Sequence, residues 1–169
     1  NMDAVVFQIL SKALFASVVA LGFGLISNPP RRAIWAILLT AFLGYLLRAF
    51  MMDALGLTVF AACFCAALLM GCSGLVTGKL THTPATVIYI PALLPMIPGM
   101  YAYKAIFAYL TFMQHIDFAE KAVYLDQFFT YFSYAVGILI CLALGSIIPM
   151  FVFTKTANSL TRNHSIKHN

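Results

Sequence analysis

Acidic residues are missing from the interior of every long apolar run in the chain. The five carboxylates, Asp3, Asp53, Asp117, Glu120 and Asp126, all fall at or beyond the ends of those runs. That leaves no intramembrane Asp or Glu of the kind through which many coupled carriers pass protons, and no paired carboxylates for general acid–base chemistry. Charge of either sign is scarce, at 9% of residues, against about a quarter in soluble domains. No Cys/His spacing resembles a zinc site. The four cysteines, Cys63, Cys65, Cys72 and Cys141, lie inside apolar stretches, where a thiol behaves as a small hydrophobe. With no nucleophile and positioned base either, the chain is not expected to be an enzyme, or to hold a metal or other cofactor. Its net charge of +5 does not gather on one polar face but punctuates the ends of apolar runs, which argues against a nucleic-acid partner.

What the sequence does have is grease. Apolar residues make up 63% of the 169 positions, in runs of about 20, the length that crosses a hydrocarbon layer as a helix. Lipid bilayer is the expected surrounding. The first span reads from Ala4 to Ile26, interrupted by Lys12, and closes at the turn-forming stretch from Ser27 to Arg32. The second runs from Ala33 to Met52 and the third from Leu55 to Thr77, the latter with small residues Ala62, Ala66, Gly71, Gly74 and Gly78 suited to close helix contact. Asn1 ahead of Met2 reads as a cleavage remnant and is set aside. The first run lacks a basic flank and a small-residue cleavage site, so it is expected to stay as an anchor.

The fourth apolar stretch, Ala85 to Met113, is too long for one ideal span and holds Pro91, Pro95 and Pro98 followed by Gly99. Each proline removes an amide donor and clashes with the preceding turn. The expectation is a broken helix: a first half to Ile97, a break at Pro98 and Gly99, and a second half from Met100 to Gln114. A fifth span follows from Phe128 to Phe153, and residues 154–169 read as a polar cytoplasmic tail. The fold class is therefore all-α, a polytopic membrane protein of about five transmembrane helices, with residues 4–153 as one transmembrane domain. Four spans with a re-entrant hairpin is the alternative. An outside N-terminus puts Arg31, Arg32, Lys79, Lys155, Arg162 and Lys167 inside and only Lys121 in the outer connections, as the positive-inside rule asks.

Three cations sit at membrane depth: Lys12, Arg48 and Lys104. A charge in hydrocarbon costs on the order of 3 kcal/mol on the insertion scale, so each needs a partner, water or a way out. Lys12 and Arg48 stand within about three turns of the outer ends of their helices, near enough either to snorkel or to serve a site. Lys104 falls near mid-bilayer. Where a helix restarts after Pro98 and Gly99, its first amides lack partners and the macrodipole adds about half a positive charge. An anion is the natural ligand of such a break. Gly99, Met100 and Tyr101 would offer amides, Tyr101 and Tyr103 hydroxyls, and Lys104 a cation, with Arg48 as an outer attraction site. The prolines could instead merely kink a packed helix. Tyr124, Phe128, Phe129, Tyr131, Phe132 and Tyr134 read as an interfacial aromatic belt.

These residues resemble those of a known family. The loop Asn28, Pro29, Pro30, Arg31, the pair Gly44 and Arg48, and above all Pro95, Met96, Ile97, Pro98, Gly99, then Ala102 and Tyr103, make the chain similar to the small, YjjB-like membrane subunit of the threonine/serine exporter (ThrE-like) family. The resemblance covers nearly the whole chain. It implies export of small carboxylate-bearing, anionic or zwitterionic metabolites, threonine and serine or dicarboxylates such as succinate, across the bacterial inner membrane. It also implies a larger exporter-family membrane subunit as partner. The alternatives are a non-transporting scaffold subunit and a homo-oligomeric channel.

Overall fold

The structure is a computed structural model, and it describes residues 2–115 and 117–153. The expected tail, with Lys155, Arg162 and Lys167, lies outside the described residues. Six helices follow one another: α1 (Met2–Ile26), α2 (Arg31–Asp53), α3 (Val59–Thr81), α4 (Ala85–Leu93), α5 (Gly99–Gln114) and α6 (Phe118–Val152), with a 3-10 turn, Leu94–Met96, after α4. Helices α1, α2, α3 and α6 are each long and apolar enough to cross a membrane, and α4 with α5 make a fifth if the bent pair counts as one span. The all-α polytopic fold expected from the apolar runs is what the chain adopts.

Local chemistry sets most boundaries. Asn28 closes α1 in the left-handed region, with φ 47°, a conformation its short polar side chain tolerates. Several boundaries differ from expectation: α3 runs on to Thr81 rather than Thr77, α4 gives way at Leu93 to the 3-10 turn instead of running to Ile97, and α5 takes in Gly99. Helix α3 starts at Val59 rather than Leu55, because Gly56 takes φ 62° and the Leu57 amide turns back to the Met51 carbonyl at 3.1 Å. Helix α6 starts ten residues before Phe128, at Phe118. The polar stretch that looked like a connection is itself helical: Ala119, Glu120, Lys121 and Ala122 are good helix formers, and Glu120 in the first turn suits the positive end of the dipole. The resulting helix has 35 residues, about 52 Å at 1.5 Å each, against a hydrocarbon core of about 30 Å.

Helix α3 is the centre of the bundle, packed by α2, α4 and α6, while α1 lies on α2 and α4, and α5 packs chiefly on α6. Its buried face is a run of small side chains, Ala62, Cys63, Ala66, Ala67, Gly71, Gly74 and Gly78, interrupted by Met70. Gly74 and Gly78 meet the start of α4, where Cβ atoms would stand 3.1 Å from Tyr89 and 2.8 Å from the Thr83 carbonyl oxygen. Gly71 and Gly145 bring α3 and α6 together, and the order of their contacts (Phe60 with Gly137, Phe64 with Gly145, Gly71 with Pro149) makes these two helices parallel. A hydroxyl pair, Thr40 with Ser73 at 3.0 Å, ties α2 to α3. Arg31, Arg32 and Lys79 thus share one end of the bundle, the basic end, and Asp53 and Val59 the other.

Near the Asp53 end, Lys12 reaches across to Asp53 at 3.3 Å, with side chains 53% and 34% exposed. This pairing accounts for one of the three cations at membrane depth. Exposed ion pairs contribute little, so a double-mutant cycle on Lys12→Met and Asp53→Asn, read by thermal unfolding of the purified protein, should give a coupling below about 1 kcal/mol. A coupling several times larger would mean that the pair lies within the hydrocarbon rather than at its edge.

Candidate functional site

The fourth stretch breaks where the prolines predict. Ile97, which precedes Pro98, takes φ −58° and ψ 130°, the extended conformation that a following proline imposes. The chain then restarts as α5 at Gly99 with its axis turned by 48°. Helix α4 packs with α1, α2 and α3, whereas α5 packs on α6, so the break carries the chain from one side of α3 to the other. Pro98 is buried, and Gly99 and Met100 are exposed. A Cβ on Gly99 would meet nothing within 4 Å.

Three free amides were expected here, and the geometry narrows them to one. The Gly99 N–H donates to the Ile97 carbonyl at 2.8 Å and the Tyr101 N–H to the Pro98 carbonyl at 3.1 Å. The Met100 amide alone of the three has no backbone acceptor among the described residues. The carbonyls freed by the break fold back onto the neighbouring amides, because Ile97 and Pro98 turn the chain tightly enough to present them.

Tyr101 and Lys104 converge on α6. The Tyr101 ring stacks on Tyr134 with centroids 5.4 Å apart and lies 6.5 Å from Tyr131, and Lys104 Nζ stands 5.4 Å above the Tyr131 ring. Tyr134 in turn stacks on Phe60 of α3 at 5.3 Å. Tyr103 does not join them. It lies on the opposite face of α5, 62% exposed and stacked on Phe107. Depth also differs from expectation: Tyr101 is one ring away from Phe60, the second residue of α3, so the break lies toward the Asp53 end rather than midway. The twelve residues of α4 and its 3-10 turn, rising about 1.5–2 Å each, have already climbed most of the bundle. Beside this stack opens a cleft of about 410 Å3 lined by Phe60, Phe129, Thr130, Ser133 and Tyr134.

Arg48 stands on α2, which packs chiefly on α1, α3 and α4 rather than on α5. It is half-buried, its guanidinium carbon stands 5.5 Å from the centre of the Tyr45 ring, and it lies beside Cys63 of α3. Its Nε is sealed from solvent with no hydrogen-bond partner. The ion pairs among the described residues are Lys12 with Asp53, and His115 with Glu120 at 2.7 Å; neither serves Arg48. A cation held at this depth without a counter-charge is costly. Sequence reasoning assigned Tyr131 and Tyr134 to an interfacial belt and passed over Phe60 and Tyr45. Their signal was present as helical spacing, since residues 131 and 134 share a face and Tyr45 stands one turn from Arg48.

Comparison with known proteins agrees with this architecture. The family model described as "Threonine/Serine exporter, ThrE" matches residues 12–152. An uncharacterised protein of Haemophilus influenzae is 28% identical over 148 residues, which cover 86% of this chain and 48% of that protein. The chain thus spans about half the length of the curated relative it matches. No solved structure is similar to it. All the helices from Lys12 onward, the break and Arg48 fall inside the matched segment, and the chain belongs to the threonine/serine exporter (ThrE) family.

Proposed function

We infer that this chain is one unit of a secondary transporter that exports small carboxylate-bearing metabolites, threonine and serine or dicarboxylates such as succinate, across the bacterial inner membrane. The observation that carries this reading is Arg48: a guanidinium at span depth whose Nε is sealed and unpartnered and which takes part in neither ion pair among the described residues. A transported carboxylate is the counter-charge such a site lacks. On this reading the solute's anionic group meets Arg48, and the Met100 amide, Tyr101 and Lys104 line the route at the break. Pro98 and Gly99 keep that backbone open.

The N-terminus lies outside and the C-terminus in the cytoplasm, which places the basic end inward. The partner on this reading is a larger exporter-family membrane subunit, as the family resemblance implies.

The test is export of labelled serine and succinate from cells or proteoliposomes that hold both units, comparing wild type with Lys104→Ala and Gly99→Leu. The Gly99 position has open space around it, so a leucine there should fold normally. Each variant is expected to lose export by roughly 10-fold, the order of one charge-assisted contact. Unchanged export in both would remove α5 from the site.

A further inference from the structure

A second site stands at the basic end, far from the break. There α3 and α6 touch at Gly71 and Pro149, where a Cβ on Gly71 would lie 3.0 Å from the proline ring. Pro149 lies inside α6, where proline removes one helical hydrogen bond and bends the axis. Just past that contact the two helices enclose a groove of about 200 Å3, lined by Cys72, Leu75, Val76, Lys79 and Phe153. It opens sideways, past Val76 and Phe153, which are 60% and 50% exposed.

The groove does not suit the exporter's own solute. Sites for small polar molecules carry several convergent polar groups, whereas this groove is lined by apolar side chains with Lys79 as its one charged group. Lys79 stands in the last turn of α3, exposed, and takes part in neither ion pair among the described residues. Arg31 and Arg32 share its end of the bundle. A narrow apolar slot open to the side, with a cation at its mouth where the span ends, matches the shape and charge of a phospholipid.

We propose that this groove is a phospholipid site. Lys79 holds the headgroup phosphate, and the first part of an acyl chain lies along Cys72, Val76 and Phe153. The three cations at this end favour an anionic headgroup such as phosphatidylglycerol over a zwitterionic one. The site stands apart from the transport reading, and neither depends on the other.

The test is native mass spectrometry of the purified full chain in detergent with dioleoyl phosphatidylglycerol, reading the lipid retained by folded protein. Wild type is expected to retain one lipid in preference to phosphatidylcholine. Lys79→Gln should weaken retention roughly 5-fold, the order of one basic side chain at an anionic surface. Val76→Trp, which fills the slot, should weaken it at least as much, and Lys121→Gln at the other end should leave it unchanged. Retention by Val76→Trp equal to wild type would identify the lipid as annular and overturn the proposal. Displacement of the lipid by glycerol phosphate at concentrations similar to those of a competing lipid would do the same, since a headgroup alone makes no use of the slot.

Discussion

Arg48→Met is expected to cut export by about 10- to 100-fold while leaving the amount of folded protein unchanged. Contacts to a charged group contribute on the order of 1.5–3 kcal/mol, and each 1.4 kcal/mol is about tenfold in rate. Folding should not suffer, because Arg48 makes no ion pair among the described residues and its Nε is already sealed without a partner. Removing a buried charge of this kind tends to be neutral or stabilising, and methionine adapts to the space left against Tyr45 and Cys63. Arg48→Lys keeps the charge but loses the forked geometry that grips a carboxylate, so it should fall between the two. Initial rates for labelled serine and succinate, beside the thermal midpoint of each purified variant, decide the matter. Full activity in Arg48→Met would discard the anion site, and a midpoint falling in step with activity would reassign Arg48 to structure.

The second large effect belongs to Gly145. A Cβ there would lie 2.6 Å from the Phe64 carbonyl oxygen, 2.9 Å from the Ala67 Cβ and 3.3 Å from the Leu68 nitrogen. All three neighbours belong to α3 and none is the loose end of a flexible side chain, so Gly145→Leu must drive the two helices apart. Overpacking of this kind costs about 1–3 kcal/mol or more, which for a chain of this size corresponds to a fall of roughly 2–12 °C in the thermal midpoint. Gly22 is the control, since a Cβ on it meets nothing within 4 Å and Gly22→Leu should leave the midpoint nearly unchanged. Equal losses in both variants would show that the α3–α6 contact is not what the glycine protects.

Much of this was legible in the residues. The apolar runs marked the long helices because hydrocarbon demands an uninterrupted length, and Pro98 after Ile97 located the break because a proline dictates the conformation of the residue before it. The start of α6 was hidden for a matching reason. Asp117, Glu120, Lys121 and Asp126 mark the end of an apolar run, but nothing in their polarity forbids a helix, and α6 continues through them. The site was read in pieces. Lys104 and Tyr101 were singled out by distance from the break, and they do converge. Tyr103 was singled out on the same ground and does not, since two residues along a helix is a half-turn away. Which amides stay free depends on how Ile97 and Pro98 fold back, a matter of dihedral angles that composition cannot carry. Phe60 and Tyr134 meet only because α3 and α6 run parallel, a fact of topology rather than of either segment.

That parallel arrangement also governs how the protein can be made. The helix on which the bundle leans, α3, leaves the ribosome well before α6, the neighbour that fits its Gly71 face, with α4 and α5 made in between. Until α6 has been made, the glycine face of α3 has one side only, and the insertion machinery must shelter a groove that lipid fills poorly. Truncation anywhere before Gly145 therefore strands a half-built protein, and quality-control proteases in the membrane have in that open seam a mark of incompleteness to recognise.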